Sequence, residues 1–326
     1  MLPVEVDYAE VTDEGFRFDR QYILVKKPTG NGARFAEHLS VKRVFSLVLF
    51  QPSIDDRWSK LTVRHTLAHS DSSVTLPLTP SPLFCASADN LQVSIFGTSA
   101  TGIDMGNDPA DFFSKHLKMQ VRLLFIGGCG QRALPGLAYG YHPVGGLPAD
   151  SPLFDEAVSR KRIRFADAAP YLVTSTASEE EVRSRLPTQN QNEDVIIRFR
   201  PNIHIDVGEC TSPFDEDDWN KIHVCDGSNQ GKVKAIISCI FKTARCLSLN
   251  ADLKSGLMSP RNQQLYGLLA RDRRVNSVYP RKSNTCFHQK KALCTKAELF
   301  VHRQASLWSV RVHRPQRRSL KSRGFG

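Results

Sequence analysis

Two short segments combine residue types that can hold an anion and a soft metal. Phe199-Arg200-Pro201-Asn202-Ile203 sets a guanidinium and a carboxamide two residues apart, with Pro201 fixing the backbone between them. On an extended strand that spacing turns both side chains to one face. Arginine offers a planar fork of donors for phosphate or oxo groups, and asparagine offers both a donor and an acceptor. On spacing alone, the same residues also describe a surface arginine beside a turn asparagine. Thr243-Ala244-Arg245-Cys246 follows an apolar stretch, Val233 to Ile240, and puts a cysteine next to a positive charge. Such a charge favours the thiolate, the form that ligates soft metals or attacks electrophiles. The competing reading of any single cysteine is a buried, inert one.

These segments need strands and turns to bring them together, and the pattern supplies both. Val4 to Val11 alternates with period two, Thr12-Asp13-Glu14-Gly15 reads as a turn, and Phe16 to Val25 reads as the next strand. Further strands are predicted at Val44 to Phe50, Lys60 to Val63, Ser73 to Leu76, Leu91 to Ile95 and Val121 to Ile126. Short strands divided by turn residues predict a barrel or sandwich rather than βαβ units. Asp108 to Leu117 reads as a helix with Asp108 as N-cap and Pro109 at its first position. In the second half, strands are predicted at Tyr171 to Thr174, Val195 to Arg200, Lys221 to Val224 and Val233 to Ile240. A helix over Glu179 to Leu186 is predicted with Ser178 as N-cap and Glu181 completing a capping box. Residues 127–152 are rich in Gly and Pro and read as a linker or loop. Gly127-Gly128-Cys129-Gly130 lacks the Gly-Lys-Ser/Thr ending of a phosphate loop and reads as a plain turn.

Composition excludes several classes. With 40% hydrophobic and 24% charged residues, the 326-residue chain has ordinary globular composition, long enough for two domains. No apolar run approaches the roughly 20 residues of a membrane-spanning helix. The residues from Met1 onward show no secretory pattern, so the expected location is the cytoplasm. The formal charge of +11 suggests nucleic acid, but residues 283–326 hold ten Lys or Arg against the single acid Glu298. That segment carries +9 and leaves +2 for the rest, so the basicity belongs to a tail and no nucleic-acid partner is expected. The eight cysteines form no Cys-x-x-Cys pair, which argues against a disulfide framework. A zinc site from Cys286, His288, Cys294 and His302 fits no common spacing.

The order of several segments carries more than any one of them. Phe16-Arg17-Phe18-Asp19-Arg20-Gln21-Tyr22-Ile23-Leu24-Val25 comes first, then Phe165-Ala166-Asp167-Ala168-Ala169-Pro170, Ser175 and Phe199 to Ile203. Asp215-Glu216-Asp217-Asp218-Trp219 follows, and last Ala244-Arg245-Cys246 with Asn250-Ala251-Asp252-Leu253-Lys254-Ser255-Gly256. Together they resemble the MOSC family with its N-terminal β-barrel domain. That group includes the mitochondrial amidoxime-reducing component and the C-terminal domain of molybdenum cofactor sulfurase. The resemblance runs from about residue 3 to about residue 282.

It implies a mainly β fold with some α: an N-terminal β-barrel-like domain over 1–126, then a MOSC β-barrel with flanking helices over 153–282. Residues 283–326 are expected as a basic, disordered tail. Cys246 matches the family cysteine that binds molybdenum and is the catalytic candidate. Arg200 and Asn202 match the family's Arg-Pro-Asn segment, which contacts the pterin and its phosphate. Arg20, Ser175, Arg245 and Asp252 complete the implied cofactor-binding set. The implied function is a molybdenum-cofactor oxidoreductase that reduces N-hydroxylated small molecules. Its electrons would come from a separate haem or flavin protein, because no motif for either group is present. The alternatives are a sulfur- or cofactor-carrying protein without turnover, or an inactive truncated homologue. The family's opening strand and its lysine-bearing Tyr-Pro-Ile-Lys-Ser-like segment would lie ahead of Met1. Its Val-Asp-Pro-Asp-Thr-Gly loop is here Ala251 to Gly256, without the proline or the second acid. Members of the family can be mitochondrial.

Overall fold

The computed structural model describes residues 1–27 (5 and 7 apart), 35–68, 72–133 (96, 97 and 129 apart) and 162–273 (168, 209, 210, 226–231 and 244 apart), together with the backbone of 290–297, 300–302 and 310–313. From residue 134 onward, the Gly/Pro-rich stretch expected as a linker lies outside the described residues. So do Cys286 and His288 of the rejected zinc set.

The N-terminal half is built from short alternating strands. β1 (Tyr8–Thr12) and β2 (Gly15–Phe16) form a hairpin, followed by β3 (Tyr22–Lys26) and β4 (Ala36–His38). Next come β5 (Phe50–Ile54), β6 (Lys60–His65) and β7 (Ser73–Pro77), the short helix α1 (Pro82–Ser87), β8 (Asn90–Ile95), β9 (Thr98–Asp104), helix α2 (Asn107–Leu117) and β10 (Val121–Phe125). Strands β10, β3, β4, β8 and β9 close into a barrel, as the mainly β reading expects, and β5, β6 and β7 form a separate sheet against α2. The inward residues Val25, Val93 and Leu124 are fully buried. Burial of each such side chain stabilises the barrel by about 1.5–3 kcal/mol.

Local departures from the sequence reading have physical causes. The strand expected from Phe16 to Val25 is broken after Phe16, because Phe18 and Arg20 take left-handed backbone (φ 69° and 51°). The chain must leave the hairpin there and enter the barrel. Val44 to Phe50, expected as a strand, is a 3-10 helix over Phe45–Leu49 with Leu47, Val48 and Leu49 buried. A short, mostly apolar run does not reveal which element it forms. Helix α2 is capped not by Asp108 but by Gly106 (φ 87°), and Asp108 lies within the first turn. Asp104, just upstream, accepts from the Gly106 amide at 2.9 Å and takes both arms of Arg122 at 2.6 Å.

The second half begins with β11 (Arg132–Ala133), β12 (Arg162–Ile163) and β13 (Tyr171–Ser175). Helix α3 (Thr176–Ser184) follows β13 without a loop. Ser175 is therefore its N-cap, accepting from the Ser178 amide at 3.3 Å, and the helix starts earlier than the capping box at Ser178 and Glu181 predicts. Val195 to Arg200, expected as a strand, forms the helical turn α4 (Ile196–Phe199), closed by Arg200 in left-handed backbone. Val195 and Phe199 point into an apolar cluster with Val182 and Leu249. β14 (Ile203–Ile205), β15 (Lys221–Cys225), β16 (Val233–Lys242) and helix α5 (Leu265–Leu269) complete the described core.

The segment 283–326 contributes three strands where a disordered tail is expected. β17 (Lys290–Ala297) lies between β13 and β16, β18 (Phe300–His302) pairs with β1, and β19 (Val310–His313) pairs with β15. The resulting six-stranded sheet has the order β14-β13-β17-β16-β15-β19. A strand needs only a few residues and an unpaired neighbouring edge, and the basic composition hides that from a pattern search.

The two halves exchange material. Val11 of the first hairpin belongs to the core of the large sheet, with Tyr171, Val173 and Trp219. Ala251 and Leu253, downstream of Cys246, pack into the N-terminal core. Gly256 (φ 66°) seals this second crossing. A Cβ there would stand 2.6 Å from Leu49 Cδ1, so both the backbone and the close approach require glycine. Cys246 lies five residues upstream of Ala251, at the approach to that crossing.

Candidate functional site

The site is assembled from three turns. The first is the left-handed turn at Asp19-Arg20. Arg20 Nη1 donates to the adjacent Asp19 carboxylate and reaches Asn202 Oδ1 at 3.4 Å, while Asn202 Nδ2 donates to Asp19 Oδ2 at 2.8 Å. The second is the end of α4, where Arg200 turns left-handed and its amide donates to the Ile196 and Ile197 carbonyls. The third is the entry to the 3-10 helix Leu247–Asn250, whose N-cap is Cys246.

Asn202 ties these turns to the sheet. Its backbone amide donates to Leu172 O at 2.9 Å and its Oδ1 accepts from Leu172 N at 3.1 Å. Its carboxamide is thus engaged within the protein and fixes Asp19-Arg20 against β13. Arg200 is different: its side chain is exposed and has no hydrogen-bond partner among the described residues. Because Arg200 lies in a left-handed turn, the same-face argument for Arg200 and Asn202 on a strand does not hold. The two residues still share the site, but by different backbone geometry.

Arg245 carries the strongest signal. Its Nη1 donates to Phe199 O at 3.2 Å and its guanidinium stacks 5.2 Å above the Phe199 ring. Its Nε and Nη2 are buried with no partner among the described residues. Burial first, and then the neighbouring Arg200, bring its pKa down to about 9, with Cys246 and Asp167 pulling the other way. The Met1 amino group is likewise brought to about 5 by burial, then by Arg200 and Arg20. Arg200 thus lies close enough to Arg245 to be felt by it, and two buried donor atoms of Arg245 are unsatisfied among the described residues. Leaving such donors unmade is costly, so the geometry suits an anion.

Cys246 is partly exposed beside this cluster, and its Sγ lies 3.1 Å from the Ser248 hydroxyl. Among the described residues, no group of three or more His, Cys, Asp or Glu gathers as a metal cage. A metal on Cys246 would have to bring most of its own ligands.

Residues 160–287 match the family model of the MOSC domain, and residues 1–120 match that of the MOSC N-terminal beta barrel domain. The chain belongs to the MOSC family. This MOSC protein is 27% identical to mitochondrial amidoxime-reducing component 1 of Mus musculus over 287 residues, which cover 82% of the chain and 71% of that protein. It is 27% identical over 170 residues to mitochondrial amidoxime reducing component 2 of Macaca fascicularis and 23% identical over 164 residues to that of Bos taurus. Each of those two matches covers 50% of the chain and 40% of the relative.

The other predicted site residues of this MOSC protein are occupied structurally. Ser175 is buried, and its hydroxyl donates to Glu216 Oε2 at 2.9 Å while capping α3. Burial raises the Glu216 carboxyl above the usual range, against the hydroxyls of Ser178 and Ser175 that hold it down. Asp252 Oδ1 accepts from the amides of Ser255 (2.7 Å) and Lys254 (2.9 Å) and from the Ser255 hydroxyl, closing the turn that ends at Gly256. Burial opposes its ionisation, but these bonds keep its carboxyl below the usual range. The structure therefore brings Arg20, Arg200, Asn202, Arg245 and Cys246 together, whereas the side chains of Ser175 and Asp252 bond elsewhere. Sequence reasoning missed Asp19 and Ser248 as members of the site. Asp19 was legible as the acid beside Arg20. Ser248 was legible only as a hydroxyl two residues past the cysteine.

Proposed function

We propose that this MOSC protein binds a molybdenum cofactor through Cys246 and the surrounding arginines, and reduces N-hydroxylated small molecules. The observation that carries this reading is Arg245, with two buried unsatisfied donors beside a partly exposed cysteine. Those donors, with Arg200, which has no hydrogen-bond partner among the described residues, fit the phosphate of a pterin cofactor. A single protein thiolate fits a metal whose other ligands come with the cofactor. When bound, the cofactor supplies oxygen-atom removal: the N-hydroxylated substrate takes two electrons and two protons and leaves as the reduced compound and water.

The protein's residues have separable tasks. Cys246 Sγ holds the metal at the seam between the halves. Arg245 and Arg200 neutralise the phosphate, and Arg245 is kept rigid by its carbonyl bond and its stacking on Phe199. Asn202 and Asp19 hold Arg20 in place rather than offering free donors. The electrons would come from a separate haem or flavin protein.

The test is anaerobic turnover with reduced viologen as donor and an amidoxime as acceptor. Two viologen electrons should be consumed per amidoxime by the wild type and none by Cys246→Ala. A molybdenum-loaded chain that reduces no N-hydroxylated compound would instead be a carrier.

A further inference from the structure

We infer that Ser248 is a positioning residue that donates a hydrogen bond to the Cys246 sulfur and tunes the metal that this sulfur holds. The inference rests on the reading of Cys246 as metal ligand. Cys246 is the N-cap of the 3-10 helix Leu247–Asn250 with extended backbone (φ −131°, ψ 179°), yet its side chain takes no capping bond from a backbone amide. Such a bond is what an N-cap side chain ordinarily accepts. The helix is closed by main-chain bonds alone, from Leu249 N to Cys246 O at 3.2 Å and from Ala251 N to Ser248 O at 3.3 Å. The sulfur is left to a different partner, the Ser248 hydroxyl at 3.1 Å.

The direction of that bond follows from the chemistry. A thiol and a hydroxyl can each donate, but a metal-bound sulfur has no proton, so the hydroxyl must be the donor. A serine in the first turn of a helix more often bonds a neighbouring carbonyl or an amide of its own turn. Ser248 has neither bond among the described residues; its hydroxyl is directed to Sγ. The tight turn fixes the two side chains on one side, so the bond survives without a long side chain to order. Hydrogen bonds to a cysteine sulfur withdraw electron density from it and thereby tune the reduction potential of the metal. Ser248 would therefore raise the potential and hold the sulfur in one rotamer.

The test compares Ser248→Thr with Ser248→Val in the full chain, two side chains of nearly equal shape that differ in the hydroxyl. Molybdenum per chain, the sulfur-to-molybdenum charge-transfer band and the reduction potential are read, with Cys246→Ala as control. The Thr variant is expected to match the wild type in all three. The Val variant is expected to lose about tenfold in cofactor affinity, to shift the band to lower energy and to move the potential downward. Identical bands and potentials for Thr and Val, with molybdenum present and lost in Cys246→Ala, would overturn the inference and leave the proposed function standing. Molybdenum retained by Cys246→Ala would overturn both.

Discussion

Arg245 shows how an unfavourable residue marks a site. A guanidinium that is buried, has two donors unmade among the described residues and lies beside Arg200 weakens a chain that holds no anion there. Replacing it by methionine keeps the packing on Phe199 and removes the buried charge. Arg245→Met should therefore melt no lower than wild type without cofactor, with a gain on the order of 1 kcal/mol, and should lose retention of the cofactor. Calorimetry of the cofactor-free forms and cofactor analysis of the purified ones check the two halves of this prediction. A methionine variant that is less stable yet fully loaded would assign Arg245 to the core instead. Cys246 and its arginine neighbour were visible in the sequence as a chemical pair. The unsatisfied donors were not, because burial is a property of the assembled seam.

At the scale of elements, the strands were legible wherever apolar residues alternate, as in β6 and β8. Errors fell on short, mostly apolar runs such as Val195 to Phe199, interrupted only by Arg198, which fit a buried strand and a buried helical turn equally well. They also fell on helix starts, where Gly106 and Ser175 took the caps expected of their neighbours. The contact between β6 and α2 has a consequence for pH. His65 and His116 stack at 4.3 Å, His116 Nε2 meets the Ser72 hydroxyl at 2.7 Å, and Phe50 packs on His65 and Phe112 on His116. Burial lowers both pKa values; for His116 the neighbouring His65 and then Lys115 lower it further. The unfolded chain then binds protons first, so this stability is complete above about pH 6.5 and is lost as the pH falls through the folded values. The melting temperature should drop between pH 7 and pH 5, and the drop should flatten in a His65→Phe/His116→Phe double variant. An equal drop in that variant would place the acid sensitivity elsewhere.

At the scale of the molecule, the two halves are locked by polar bonds as well as by the exchanged cores. Tyr171 Oη donates to Thr12 O at 2.6 Å and accepts from Thr12 N at 3.1 Å. Arg164 reaches Phe16 O at 2.8 Å and Glu14 at 3.3 Å, and buried Arg132 bonds Thr98 Oγ1 at 2.7 Å and Asp167 O at 2.9 Å. These contacts hold the Asp19-Arg20 turn of one half against Asn202 and Cys246 of the other. Motif order along the sequence showed that both halves belong together. It did not show that the first hairpin serves the second core, because that exchange leaves no periodic trace. Among the described residues, no helix is long and apolar enough to cross a membrane. The measurement that bears most directly on the seam as a cofactor site is the molybdenum and pterin content per chain of the protein purified from a host that makes the cofactor. The expected result is close to one of each in the wild type and at least a tenfold loss in Cys246→Ala. A wild type free of molybdenum, or a Cys246→Ala variant as fully loaded as the wild type, would contradict it.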